Sequence, residues 1–254
     1  MSPIDTSTPR LIGIGVGPGD PELVTVKALN ALDSADVILV PATESRSATI
    51  GRAEQIVMTQ LPHKEECIVR IPFSMAERSG RGPKRLQSWQ LSASKAVEAF
   101  NSGAKTVAFA TIGDPSVYST FSYLSASVRE HIADLAIEIV PGITAMQALA
   151  AQSRIPLCEG KEILALIPAT VGSEAIEAVG AIADSITIYK GGRTITALKE
   201  KLDEMGRLDN AVLGSDIGLK DQKISPLVQM DDESLPYFST IICPPTRQAT
   251  GGQL

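Results

Sequence analysis

Short apolar runs rich in β-branched residues recur along the chain, separated by segments whose apolar positions fall on one helical face. Leu11 to Val16 reads as a buried strand ending in a Gly/Pro turn. After it, Asp20 can cap a helix, Pro21 fits the first helical position, and Val24, Ala28 and Leu32 share a face. Val37 to Val40 is a second strand, ending at Pro41. A helix over 42–62 follows, with Ile50, Ala53, Ile56 and Val57 apolar, then a strand over Ile68 to Ile71. Residues 72–88 read as a basic loop, and Trp89 to Asn101 as a helix stopped by Gly103. Thr106 to Thr111 is a strand leading into the turn IGDP; a helix over 117–131, a strand over Ala136 to Val140 and a helix over 143–153 come next.

Alternating strands and helices predict a parallel sheet with helices on both faces. Pro156 and Gly160 interrupt the pattern, which places an N-terminal α/β domain over 10–157 and a second α/β domain over 158–245. The second half offers strands at Ile163 to Pro168, Ile186 to Tyr189, Ala211 to Leu213, Gln222 to Leu227 and Phe238 to Cys243, with helices over 173–183 and 194–205. Its last strands have few helices between them, so a mixed sheet is expected.

Aromatics make up only 4% of the 254 residues, so the cores must be aliphatic. A formal net charge of −6 argues against a nucleic-acid partner, which would want a basic face. No apolar run approaches the roughly 20 residues of a membrane span, and the opening MSPIDTSTPR has no apolar signal core. A cytoplasmic protein without membrane partners is therefore expected. Cys67, Cys158 and Cys243 are far apart, and His63 and His131 are isolated, so neither a disulfide nor a protein-built metal site is expected.

The segment GIGVGPGDPEL, residues 13–23, spaces glycines at alternate positions, which calls for close backbone approach or a tight turn. It does not fit the dinucleotide pattern Gly-x-Gly-x-x-Gly: from Gly13 the third position is Pro18, and from Gly15 it is Asp20. Pro21 also lacks an amide, and Asp20 and Glu22 would repel a phosphate. The loop suits a phosphate-free ligand with positive charge, such as S-adenosyl-L-methionine, or serves only to pack a strand on a helix. ATIGDPSVYSTFSYL at 110–124, IVPGITAMQAL at 139–149 and ITIYKGGR at 186–193 place similar turns at strand ends. Ligands of open α/β sheets sit at that edge, and four such exits suggest a ligand cradled between two domains.

These motifs, in this order, resemble the tetrapyrrole methylases from about Leu11 to Pro244. GDP followed by YSTFSYL, and the stretch IPFSM, are most similar to the branch that methylates precorrin-2 at C(20). The resemblance implies two α/β domains, the first mostly parallel and the second mixed, with S-adenosyl-L-methionine in a cleft between them, usually in a homodimer. It implies cofactor contacts at Pro18, at Ile112, Gly113, Asp114 and Val117, at Thr144 and Ala145, at Tyr189 or Lys190, and near Ile217 and Gly218. The related uroporphyrinogen methylases carry an acidic residue just after the second strand. This chain has Pro41 there, which favours a later precorrin as acceptor.

By chemistry alone, Asp114, Tyr118, Tyr123 and Glu162 are candidates for moving the proton from the methylated carbon, with Asp114 and Tyr118 placed first. A substrate bearing eight carboxylates needs local cations on an acidic protein. Arg46, Arg52, Arg70, Arg78, Arg81, Lys84 and Arg85 cluster in the first half, either as a solvated face or as a binding surface. Arg46 and Arg52 follow the second strand's exit and are the substrate-binding candidates.

Overall fold

A computed structural model describes residues 8–42, 50–72, 82–191, 195–230 and 238–247. They gather into two compact units that divide between Thr144 and Ala145.

The first unit holds a five-stranded sheet built from β1 (Arg10–Gly15), β2 (Val37–Ala42), β3 (Ile68–Pro72), β4 (Thr106–Thr111) and β5 (Ala136–Val140). Its order is β3-β2-β4-β1-β5, and every pairing is parallel. All the strands therefore deliver their carboxyl ends to one edge. β2 runs through Pro41, which lacks an amide donor; β4 pairs with β2 only as far as Leu39, so the proline lies beyond that ladder.

Helices α1 (Val26–Asp33), α2 (Arg52–Gln60), α3 (Pro83–Asn101) and α4 (Phe121–Arg129) connect the strands. The single helix expected after β1 is divided. Asp20 caps only a 3-10 turn, Pro21–Leu23, and Thr25 caps α1 by accepting from the Ala28 amide at 3.1 Å. The helix expected over 42–62 begins at Arg52, and Ile50 lies outside it, half exposed. Helix α3 starts six residues before Trp89, with Pro83 in its first turn. Two aliphatic cores cover the sheet's faces, one around Ile12, Ile14, Ile38 and Val57, the other around Leu11, Leu39, Phe109 and Phe121.

The second unit begins with α5 (Ala145–Ser153), followed by β6 (Leu164–Pro168), α6 (Ser173–Gly180), β7 (Ser185–Tyr189), α7 (Ile195–Glu204), β8 (Val212–Ser215), β9 (Lys223–Pro226) and β10 (Ser239–Cys243). The sheet order is β6-β7-β10-β8-β9. Among the described residues, only β6 and β7 pair in parallel; β10 runs against both β7 and β8, so the sheet is mixed as expected. Helix α5 groups with this unit, ahead of the division read at 157/158 from Pro156 and Gly160. Its Leu149 packs so closely over Gly214 of β8 that a Cβ there would lie 2.7 Å from the leucine Cδ1. A break in local pattern marks the end of a helix, whereas tertiary packing decides which unit the helix joins. Among the described residues, no helix is long and apolar enough to cross a membrane.

Candidate functional site

Three strand exits of the first unit are stitched together by backbone. The Gly113 amide donates to the Gly17 carbonyl at 2.8 Å, linking the β4 exit to the β1 exit. A Cβ on Gly15 would stand 2.5 Å from the Gly113 oxygen and 2.6 Å from Gly142 Cα; one on Gly142 would stand 2.2 Å from the same oxygen. These glycines are present because three main chains touch. Gly13 has another role, since a Cβ there would meet the Phe121 ring at 2.6 Å. Gly113 differs from all of them. It is buried at φ +71°, and the nearest atom to its Cβ position is Thr144 Cα at 3.9 Å, so a Cβ there would be in ordinary contact rather than in collision.

Asp114 ties the assembly together. It is buried; Oδ1 accepts from the Ser116 amide at 2.7 Å and from the Ser116 hydroxyl, and Oδ2 accepts from the Gly142 amide at 2.9 Å. Burial alone would raise its pKa, but the Ser116 hydroxyl, the Gly142 amide and the Ser116 amide outweigh it and hold the carboxyl below its usual range. Ser116 and the Gly142 amide were not legible as partners in the sequence. Tyr118 stands in the same loop at φ +51°, 43% exposed. Burial of the rest of its surroundings pushes the phenol above its ordinary pKa. Pro18 and Thr144 are buried at the β1 and β5 exits, and Ile112 and Val117 are partly buried in the β4 exit.

In the second unit, β7 and β8 end at one edge, because β10 runs antiparallel to both. Tyr189 closes β7, and its hydroxyl accepts from the Met146 amide in the first turn of α5 at 3.0 Å. Ala145, Tyr189 and Lys190 are therefore neighbours. Ile217 is buried at the β8 exit, and the Gly218 amide donates to Gln222 Oε1 at 2.7 Å. Lys190 (φ +63°) and Asp216 (φ +51°) are both left-handed at these exits. Tyr118, Lys190 and Asp216 share this conformation with Asp134 and Arg154, which lie away from these exits. Asp216 carried no motif that would have identified it.

Several other candidates have partners of their own in the structure. Glu162 is gripped by Arg247 at 2.8 and 2.6 Å and accepts from the Glu159 amide; the Arg247 hydrogen bond is the main cause of its lowered pKa. Tyr123 stacks on Trp89, with centroids 4.2 Å apart and planes 9° apart. Arg70 is engaged by the buried Glu54 through Nε at 2.8 Å and Nη2 at 2.8 Å. Arg52 opens α2, partly exposed. Arg46, Arg78 and Arg81 lie outside the described residues. The three cysteines are free, and burial pushes the Cys243 thiol up to about 12.

Comparison with known proteins accords with this geometry. A precorrin-2 C(20)-methyltransferase of Sinorhizobium is 32% identical over 92% of this chain and 95% of its own. A cobalt-precorrin-2 C(20)-methyltransferase of Salmonella typhimurium is 30% identical over 92% and 95%. The crystal structure of a uroporphyrin-III C-methyl transferase from Thermus thermophilus, complexed with S-adenosyl homocysteine, superposes with a TM-score of 0.62 at 17% identity, covering 92% of this chain and 97% of its own. Residues 10–228 match the family model of the tetrapyrrole (corrin/porphyrin) methylases. Strand exits stitched by glycines, two α/β units of this topology and a match over most of the length lead to one conclusion: the chain belongs to the tetrapyrrole methylase family.

Proposed function

We propose that this chain transfers the methyl group of S-adenosyl-L-methionine to the C(20) meso carbon of precorrin-2, giving precorrin-3A in cobalamin biosynthesis. The observation carrying the reading is the near full-length likeness to relatives named for that reaction. The residues fit the cofactor. Gly113 brings backbone without a side chain to the β4 exit, and the carboxylates of Asp20 and Glu22 suit a cationic, phosphate-free ligand.

The cofactor supplies an electrophilic methyl carbon on a sulfonium, and the chain's part is to position the acceptor and exclude water. Pro18, Ile112, Gly113, Asp114, Val117 and Thr144 are the proposed contacts in the first unit, and Ala145, Tyr189, Lys190, Ile217 and Gly218 those in the second. Asp114 acts as a positioning residue, since both of its oxygens already accept hydrogen bonds. Tyr118, protonated at neutral pH, offers a hydrogen bond rather than a base. Arg46 and Arg52 hold substrate carboxylates, and the assembly is a homodimer, as the family resemblance implies.

Incubation with precorrin-2 and methyl-labelled cofactor, followed by locating the label on the ring, tests the reading. Label at C(20) is expected; label elsewhere, or none, overturns it. The Salmonella relative favours a second reading with cobalt-precorrin-2 as acceptor, which the same assay compares in parallel.

A further inference from the structure

The β4 exit is flanked by an aromatic surface that the cofactor assignment does not use. Helix α3 begins at Pro83, and its Ser88 and Ser92 hydroxyls reach the Pro72 carbonyl that ends β3, while α4 follows the β4 exit loop, so the early turns of both border the sheet's carboxyl edge. There Trp89 and Tyr123 lie face to face, 4.2 Å between centroids and 9° between planes. The chain has one tryptophan and few aromatics. Phe109 and Phe121 are spent in the core, yet Tyr123 remains 45% exposed and Trp89 partly so.

Beside Trp89 is a narrow recess of about 20 Å³, lined also by Thr120, Leu124, Pro41 near the end of β2 and Pro72 at the end of β3. Its polar groups are turned on one another: the Ser88 and Ser92 hydroxyls both donate to the Pro72 carbonyl, at 3.0 and 2.9 Å. What remains exposed is much of the Tyr123 ring, in the first turn of α4 and five residues from Tyr118, with part of Trp89.

We propose that the Trp89–Tyr123 pair, with Thr120, Pro41 and Pro72, forms the wall against which the conjugated face of the acceptor lies. This rests on the reading that the acceptor is a tetrapyrrole. Such a ring is apolar on its faces and anionic at its rim, so recognition divides between a flat aromatic wall and peripheral cations. The pair is then a positioning element, turning the ring so that its meso edge meets the methyl donor.

The test uses the full chain with Tyr123→Leu, Trp89→Leu and Tyr123→Phe. The leucine variants should raise the KM for precorrin-2 about fivefold, the order of one aromatic contact, with S-adenosylhomocysteine affinity unchanged. Tyr123→Phe keeps the stacked ring and should keep the parental KM. A pair that merely staples α3 to α4 would lower the melting temperature and leave KM alone, and that result overturns the proposal. A second measurement needs neither variant nor turnover. Precorrin-2 titrated into the parent with S-adenosylhomocysteine present should saturably quench the fluorescence of Trp89, the sole tryptophan; binding without quenching also overturns the wall. Quenching without methyl transfer would sink the proposed reaction but not the wall, whereas transfer to C(20) with parental KM in the leucine variants would sink the wall alone.

Discussion

Asp114 and Gly142 carry the most specific expectations at the residue scale. The Asp114 carboxyl has a lowered pKa in the folded protein. Its contribution is therefore complete above the ordinary aspartate value of about 3.9 and is lost as the pH falls through the lower folded value. Affinity for S-adenosylhomocysteine should be insensitive to this group near neutrality and fail only in strong acid. Asp114→Asn removes the charge at every pH and leaves the Ser116 and Gly142 amides poorly matched. A loss of about 1.5–3 kcal/mol in cofactor affinity is expected, measured by calorimetry with S-adenosylhomocysteine; parental affinity would show that the carboxylate does not hold the loops. The glycines separate in the same way. Gly142→Ala drives a methyl into the Gly113 carbonyl, a backbone atom that cannot step aside, so the thermal midpoint should fall sharply. Gly113→Val places its Cβ in ordinary contact with Thr144 Cα at 3.9 Å and incurs the left-handed backbone penalty of about 1–2 kcal/mol. It should stay folded and lose S-adenosylhomocysteine binding, and undiminished binding would remove Gly113 from the cofactor site.

For the elements, the informative segment is the one after β1. A dinucleotide site needs a helix whose first amides are free to meet a phosphate. Here a 3-10 turn with Asp20, Pro21 and Glu22 stands in that place, and α1 begins only after Thr25. NAD and ATP should therefore show no measurable binding by calorimetry under conditions where S-adenosylhomocysteine binds; comparable affinity for either would contradict this account of the loop. The strands were legible because a buried strand is a short apolar run bounded by turn residues, and β4 and β5 fall at their predicted limits. The helices were less so. Their apolar stripe tells which face is buried and not where the hydrogen bonding begins, so α3 gained the turn from Pro83 and the stretch before α1 broke in two.

Across the whole molecule, an acidic chain must bind a polyanionic acceptor against its net charge of −6. Local cations such as the proposed Arg46 and Arg52 have to overcome that field, and salt screens them over a Debye length of about 10 Å at 0.1 M. The KM for precorrin-2 should rise with ionic strength while S-adenosylhomocysteine affinity stays nearly level. Arg52→Ala should raise that KM at low salt by roughly five- to a hundredfold, as for a charge-assisted hydrogen bond, and should flatten the salt dependence. Steady-state kinetics at two ionic strengths checks both; a parental KM in the variant places the carboxylates elsewhere.

The sequence by itself determined the kinds of element, their order, the aliphatic cores and the turns that end the strands, because burial of a local face leaves a periodic mark on the chain. It also singled out GDP, VPG and YKGG as places where something is held. Only the tertiary structure decided which of those turns meet. The order β3-β2-β4-β1-β5 sets the β1 exit between those of β4 and β5, so Gly15, Gly113 and Gly142 touch and Asp114 becomes a tie between loops. The same is true of Glu162 with Arg247, 85 residues apart, of Trp89 with Tyr123, and of α5 joining the second unit. Periodicity records that a side chain is buried; its partner is chosen by strand order and register, which bring together residues that share no local pattern.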